Sequence, residues 1–297
     1  MTFQQVIQAL EAYWVRQGCV IEQPYDVEVG AGTMHPATFL RALGPDPWSA
    51  AYVQPSRRPA DSRFGENPYR LYRHFQYQVM LKPAPAQVQE MYLESLQALG
   101  IDPRAHDIRF LEDDWESLAL GASGVGWQVW LDGLEITQFT YLQVAGELPL
   151  SPVSVEITYG LERMCMVIQQ VSHYQEILWS KAVSYGEMFR LAEDAWGRYN
   201  FTLADPERLR KQFDLYEQDA LCLLDADDIY PAYDCTLKCA HTFNVLDARG
   251  ASSVTQRTHY ISRVRALAAR CAQGYVRQQA ARQGKQETCK VDLAASE

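Results

Sequence analysis

Apolar residues in the opening stretch recur at helical spacing. Phe3, Val6, Ile7, Leu10, Tyr13 and Trp14 fall on one side of a helix over 3–17, which Gly18 ends. The pattern then turns extended. CVIEQPYDVEVGAG reads as extended chain closed by glycines, and AAYVQP (50–55) and HFQYQVML (74–81) read as strands. The segment between those strands, SRRPADSRFGENPYRLYR, is far too long and charged for a hairpin turn, and ordered loops of that length are usually functional. A helix is predicted from Pro85 to Leu99, stopped by Gly100, and a strand over 107–113. After GASGVG (121–126), the alternating runs WQVWLDG and LEITQFTYLQV meet at Asp132-Gly133, a strong hairpin signal. VSVEITY (153–159) is another strand and passes through Gly160 directly into the helical run LERMCMVIQQV. From Ser184 onward the pattern is helical, broken near Pro206 and Pro231, and the last fifteen or so residues read as disordered. The fold class is therefore α+β: antiparallel strands with a few helices in the first 170 residues, helices in the last hundred.

The bulk numbers narrow the picture. The 297 residues suffice for one large domain or a medium one with an appendage. No apolar run reaches the roughly 18–20 residues of a membrane helix, and the amphipathic start lacks the basic and apolar blocks of a signal peptide, which places the protein in the cytoplasm. The seven cysteines are odd in number and scattered, without the paired spacing of a disulfide framework. Cys235, Cys239 and His241 could be metal ligands, but with no second CxxC, buried thiols are the plainer reading. Net charge is −10, which does not by itself attract a polyanion. Charge is unevenly spread, however. Six basic residues (Arg57, Arg58, Arg63, Arg70, Arg73, Lys82) stand against Asp61 and Glu66 in one stretch, a site candidate. Seven more, from Arg263 to Lys290, stand against Glu287, which fits the solvated face of a helix.

Neither GxGxxG nor GxxxxGK[ST] is present, so a nucleotide would have to be held another way. Arg57, at the end of an apolar strand, could fork onto a carboxylate and a phosphate together, because its guanidinium is planar and permanently charged. Taken alone it reads more readily as an ordinary surface-loop arginine. Arg163 supplies a second, separate signal. It lies one turn into the helix after a strand–glycine junction, near a helix N-terminus where anions are favoured, although pairing with Glu162 or solvent would also satisfy it.

QPYD, YVQPSRRP…RFGENP…RHFQYQV and EITYGLER together resemble the three motifs of class II aminoacyl-tRNA synthetases. In detail the chain is similar to the alpha subunits of bacterial tetrameric (alpha2beta2) glycyl-tRNA synthetases, from about Phe3 to Gln279. DVEVGAGT, AAYVQPSRRP, EITYGLER and FNVLDAR are long and idiosyncratic. The resemblance implies a class II antiparallel sheet flanked by helices over 1–183, a C-terminal helical domain over 184–280 that contacts the beta subunit, and a disordered tail over 281–297. It implies a glycine–tRNA ligase that makes glycyl-adenylate from ATP and glycine. With the beta subunit, such an enzyme transfers glycyl to the 3′ end of tRNA(Gly), and it works as an alpha–alpha homodimer within the heterotetramer.

Carried over residue by residue, the resemblance makes Arg57 and Arg163 the catalytic arginines, one bridging glycine's carboxylate and the α-phosphate, the other on the γ-phosphate. Arg73 would be a second phosphate contact, with Tyr77 stacked on adenine. Glycine has no side chain to grip, so its ammonium must be held and any substituent on Cα refused. Thr33, Gln76, Gln78, Glu156 and Thr158 could hold the ammonium; Glu156 and Thr158 share one strand face, as do Gln76 and Gln78. Trp115 would fill the space a methyl needs. Magnesium would lie at Glu135 and Gln128, where Gln128 departs from the glutamate the family usually carries; LALGASG and TYLQVAGE drift as well. Two other readings stand beside this one: a non-catalytic class II paralogue serving as scaffold or sensor, and a ligase for another small carboxylate.

Overall fold

The computed structural model describes residues 1–294. Helix α1 (Phe3–Arg16) opens with a capping box in which Thr2 and Gln5 satisfy each other's backbone amides, and it buries the apolar face read from the sequence. Strand β1 (Val20–Ile21) and the short helix α2 (Pro36–Phe39) follow. β2 (Trp48–Arg57) and β3 (Arg73–Lys82) flank the long charged loop, and α3 (Val88–Ala98) comes next. β4 (Ile108–Ser117), β5 (Ala122–Leu131), β6 (Leu134–Ala145) and β7 (Leu148–Gly160) form a meander. β7 runs straight into α4 (Leu161–Gln169). α5 (Tyr185–Arg198), α6 (Pro206–Asp225), α7 (Ile229–Ala248) and α8 (Val254–Ala294) complete the chain.

The strands make one seven-stranded sheet in the order β1-β2-β3-β7-β6-β5-β4, antiparallel except for the short β1–β2 pair. Asp132 and Gly133 both take positive φ (50° and 85°), the backbone that a tight β5–β6 hairpin demands. Pro206 stands at the first position of α6 behind the Asp205 cap, and Pro231 falls in the first turn of α7, so both prolines mark helix starts. α8 continues as helix across 281–294, where the sequence suggested a disordered tail; residues 295–297 lie outside the described residues.

Successive strand residues point to opposite faces, and here the two faces differ in kind. One face is apolar: Tyr77, Val79, Leu81, Phe139, Val155, Ile157 and Tyr159 pack beneath α1, α3 and α4 with Trp14 and Tyr92. The other face is split. At one end Met80, Leu142 and Leu150 share a core with α6, α7 and α8, through Phe39, Phe213, Tyr233 and Leu237. At the other end it carries polar residues in a register that aligns Gln78, Thr158, Gln138 and Gln128 across four strands. α8's basic face is largely occupied by acids of the same chain: Arg263 by Asp214 and Glu217, Arg265 by Glu147, Arg270 by Asp225 and Arg277 by Asp227. This face is therefore a surface of ion pairs rather than a free polyanion site.

Candidate active site

A cavity of about 370 Å³ opens over the polar half of the sheet. Its floor is β3 and β7, its walls are β6, Trp115 of β4 and the N-terminal turn of α4, and the segment through Ala31 and Thr33 closes one side. Glu156 lies at its base, 3% exposed. The hydroxyls of Thr33 and Thr158 donate to its Oε1 at 2.5 and 3.0 Å. Its Oε2 has no hydrogen-bond partner among the described residues. Burial raises the pKa of this carboxyl, against the pull of the donors around it. A cation brought to Oε2 would satisfy the orphan oxygen and favour the charged form. Gln78 lies one layer deeper, accepting from Thr158 at 2.9 Å, and Gln76 accepts from the Gly32 amide at 2.7 Å. Gly32 must be glycine: a Cβ there would sit 2.4 Å from Oε1 of Gln78.

Opposite this pocket the cavity is cationic. Arg58, Arg70 and Arg163 line it together with Asp61 and Glu135. Arg163 donates to the carbonyl and to Oε2 of Glu135, both at 3.0 Å. Arg70 pairs with Asp61 at 2.7 Å, and Arg58 donates through Nε to the Gly30 carbonyl at 3.1 Å. Arg58 reaches solvent at the mouth, yet the protein around it displaces enough water to lower its pKa, helped by the charges of Arg163 and Arg70 and opposed by Asp61 and Glu135. His74 lies in the same field, held neutral by burial and by Arg58 and Arg163. Such a concentration of positive charge, only partly balanced, suits a polyphosphate.

Five of the residues expected to bind glycine (Thr33, Gln76, Trp115, Glu156, Thr158) line this one cavity, and Gln78 supports them from beneath. Glu135 and Arg163 line it too. Four other expectations need correction. Arg57 points to the opposite side of β2: it lies 3.6 Å from Glu28 and its guanidinium stands over Trp196 at 5.6 Å, beside a second cavity of about 550 Å³ lined by Trp196, Tyr199, Tyr216 and His241. Arg73 also turns away, its guanidinium over Phe189 at 4.7 Å. Tyr77 is fully buried in the core beneath α1, edge-on to Tyr159, and no base can stack on it. The physical reason is common to all three. Strand side chains alternate, so a face that presents Gln76 and Gln78 must hide Tyr77 and Arg73. The β2–β3 register pairs Gln54 with Gln76, Ser56 with His74 and Arg57 with Arg73. The fourth is Gln128 of β5, which is not among the residues lining the cavity and whose Oε1 accepts from the Trp130 indole at 3.1 Å.

Of the other cavity residues, Arg58, Asp61 and Arg70 were legible only as part of the charged stretch, without individual roles, and His74, Gln138 and Glu162 were not anticipated. A signal for two of them existed. The polar alternation Gln54, Ser56 extends to Arg58, and Gln78, Gln76 extends to His74. Glu162 is 5% exposed and accepts from the Phe75 amide and the Tyr185 hydroxyl, both at 2.8 Å, with burial raising its pKa to about 7. Cys235 and Cys239 are buried thiols, and burial pushes Cys239 up to about 12.

Two solved pyrrolysyl-tRNA synthetase structures from Desulfitobacterium hafniense are similar in part. One aligns at 14% identity and TM-score 0.44 over 62% of this chain and 72% of that one. The other aligns at 16% and 0.43 over 62% and 75%. A model of the family described as "Glycyl-tRNA synthetase alpha subunit" matches residues 3–280, nearly the whole chain. The chain belongs to the glycyl-tRNA synthetase alpha subunit family.

Proposed function

We propose that this glycine–tRNA ligase alpha subunit binds ATP and glycine side by side in the 370 Å³ cavity and joins them as glycyl-adenylate. The observation that carries this reading is the buried Glu156 with an unpaired Oε2, facing a cluster of three arginines across the same cavity. Glycine's ammonium fits against Glu156, Thr33 and Thr158. Its carboxylate then extends toward Arg58, which takes the bridging role expected of Arg57. A carboxylate oxygen attacks the α-phosphorus, the bond to the β,γ-diphosphate breaks, and diphosphate leaves with the electron pair. Arg58 offsets the repulsion between the two anions, and Arg163 with Arg70 neutralises the outer phosphates. Arg163 is paired with Glu135 in this structure and exchanges that partner for phosphate. In the second step a ribose hydroxyl at the tRNA 3′ end attacks the glycyl carbonyl and AMP departs.

The family implies ATP as substrate and, with it, magnesium. Magnesium is commonly held by one or two carboxylates plus substrate phosphates, and Glu135 in the cavity fits as the single protein carboxylate, whereas Gln128 does not. Bound there, the ion would supply positive charge to the phosphates. Trp115, which lines the cavity, is assigned as the wall that refuses a substituent on Cα.

Residues 184–280 are proposed as the contact with the beta subunit, in a complex containing an alpha–alpha homodimer and acting on tRNA(Gly). The unusually exposed Leu191 (84%), Leu203 (66%) and Leu215 (60%) of this region support a partner surface. Among the described residues no helix is long and apolar enough to cross a membrane, in keeping with a cytoplasmic enzyme. The test is glycine-dependent ATP–pyrophosphate exchange, with and without co-expressed beta chain. Exchange that requires glycine supports the reading, and exchange driven equally by other small carboxylates overturns it.

A further inference from the structure

Segment 28–35 has two sides. On one, Ala31 and Thr33 line the cavity, and the Thr33 hydroxyl donates to Glu156 at 2.5 Å. On the other, the segment rests on helix α7. The Tyr233 hydroxyl donates to the Met34 carbonyl at 2.7 Å, and the Tyr25 hydroxyl donates to Asp234, the next residue of α7. Tyr233 is fully buried and its ring lies flat on Phe39, with centroids 5.0 Å apart and planes within 3°. The hydroxyl is therefore held in place by packing and has little freedom to follow the segment if the segment moves.

We infer that Tyr233 is a positioning residue for glycine: by fixing the Met34 carbonyl, it sets where the adjacent Thr33 hydroxyl meets Glu156. The inference rests on the reading that Thr33 and Glu156 hold the ammonium. A buried carbonyl that loses its donor is costly to leave unpaired, so the peptide turns to find another partner and carries Thr33 with it. Through this contact the helical region of the chain sets amino-acid affinity without touching the amino acid. The effect falls on glycine more than on the outer phosphates, because Arg163 and Arg70 lie on other elements and keep their contacts with Glu135 and Asp61, and of the three cavity arginines only Arg58, bonded to the Gly30 carbonyl, touches the same segment.

The test uses the alpha chain with its beta partner and three variants, Tyr233→Phe, Thr33→Ala and the double variant, with KM for glycine and for ATP measured separately in pyrophosphate exchange. Phenylalanine keeps the ring on Phe39 and removes only the hydroxyl. The expected result for Tyr233→Phe is a glycine KM raised roughly fivefold, the worth of one hydrogen bond, with ATP KM within about twofold and the thermal midpoint near wild type. In the double variant the increase should not exceed that of Thr33→Ala alone, because Tyr233 acts through Thr33. An unchanged glycine KM in Tyr233→Phe, equal rises for both substrates, or a double variant showing the product of the single effects overturns the inference. Failure of the underlying glycine-site reading shows differently, as a Thr33→Ala variant whose glycine KM stays at the wild-type value.

Discussion

Replacing Glu156 with glutamine removes one negative charge and almost no volume from the base of the cavity. The carboxylate is 3% exposed and lines the cavity, two hydroxyls hold its Oε1, and its buried Oε2 has no partner among the described residues. If an ammonium completes that arrangement, the lost interaction is a charge-assisted hydrogen bond in a site with little water, about 1.5–3 kcal/mol. At about 1.4 kcal/mol per tenfold, the glycine KM should rise roughly 10-fold to 150-fold. The loss belongs to glycine alone, since the arginines that face the triphosphate lie across the cavity. ATP KM in pyrophosphate exchange should therefore stay within about twofold. The variant should fold normally, because Glu156 in the free protein is a carboxylate whose ionisation burial disfavours. A glycine KM within twofold of wild type, with intact ATP kinetics, would refute the assignment of Glu156 to the ammonium.

Three further outcomes follow from the same geometry. Trp115→Ala should admit alanine, with selection against it falling to the roughly 10–200-fold that a roomy pocket gives for one extra methyl; unchanged selectivity in alanine-dependent exchange removes Trp115 from the wall. Glu162, whose pKa burial raises from 4.5 to about 7, binds its proton more readily folded than unfolded, so its contribution to stability is complete below about pH 4.5 and lost as pH rises through about 7. The ceiling is about 3 kcal/mol, and thermal unfolding of Glu162→Gln across that window should show a flatter pH dependence than wild type, an identical slope counting against it. Arg163→Ala should raise ATP KM far more than glycine KM in exchange assays, and the reverse order would show that this guanidinium does not face the phosphates.

The fold was legible where local chemistry decides it. Asp132-Gly133 specified its hairpin, and the spacing of Phe3 to Trp14 specified the buried face of α1. The polar face could also be read strand by strand, since Gln76 and Gln78 alternate onto one face of β3 and Glu156 and Thr158 onto one face of β7, and the register brings the two pairs to the same side. Register across strands was harder. Arg57 and Arg58 are adjacent, and nothing within the tract says which of the two faces the cavity; the pairing of Ser56 with His74 settles it from another strand. The motif resemblance favoured Arg57, Arg73 and Tyr77, three odd-numbered positions that share the face opposite Gln76. Contacts between distant segments left no local trace. Glu193 of α5 accepts from the amides of Tyr72 and Arg73, fixing the entry to β3, and Tyr233 reaches the glycine-facing segment from α7.

The placement of the two neighbouring arginines gives the most direct measurement. Arg58→Ala and Arg57→Ala are compared in glycine-dependent ATP–pyrophosphate exchange, each as the full alpha chain with beta. Arg58→Ala should lower kcat by roughly 10²–10³-fold, as loss of a donor aimed at transition-state charge does. Arg57→Ala should stay within a few-fold of wild type, because it loses only a half-exposed ion pair and a ring contact of about 1 kcal/mol or less each. Near-normal exchange in Arg58→Ala with collapse in Arg57→Ala would contradict the account at its centre.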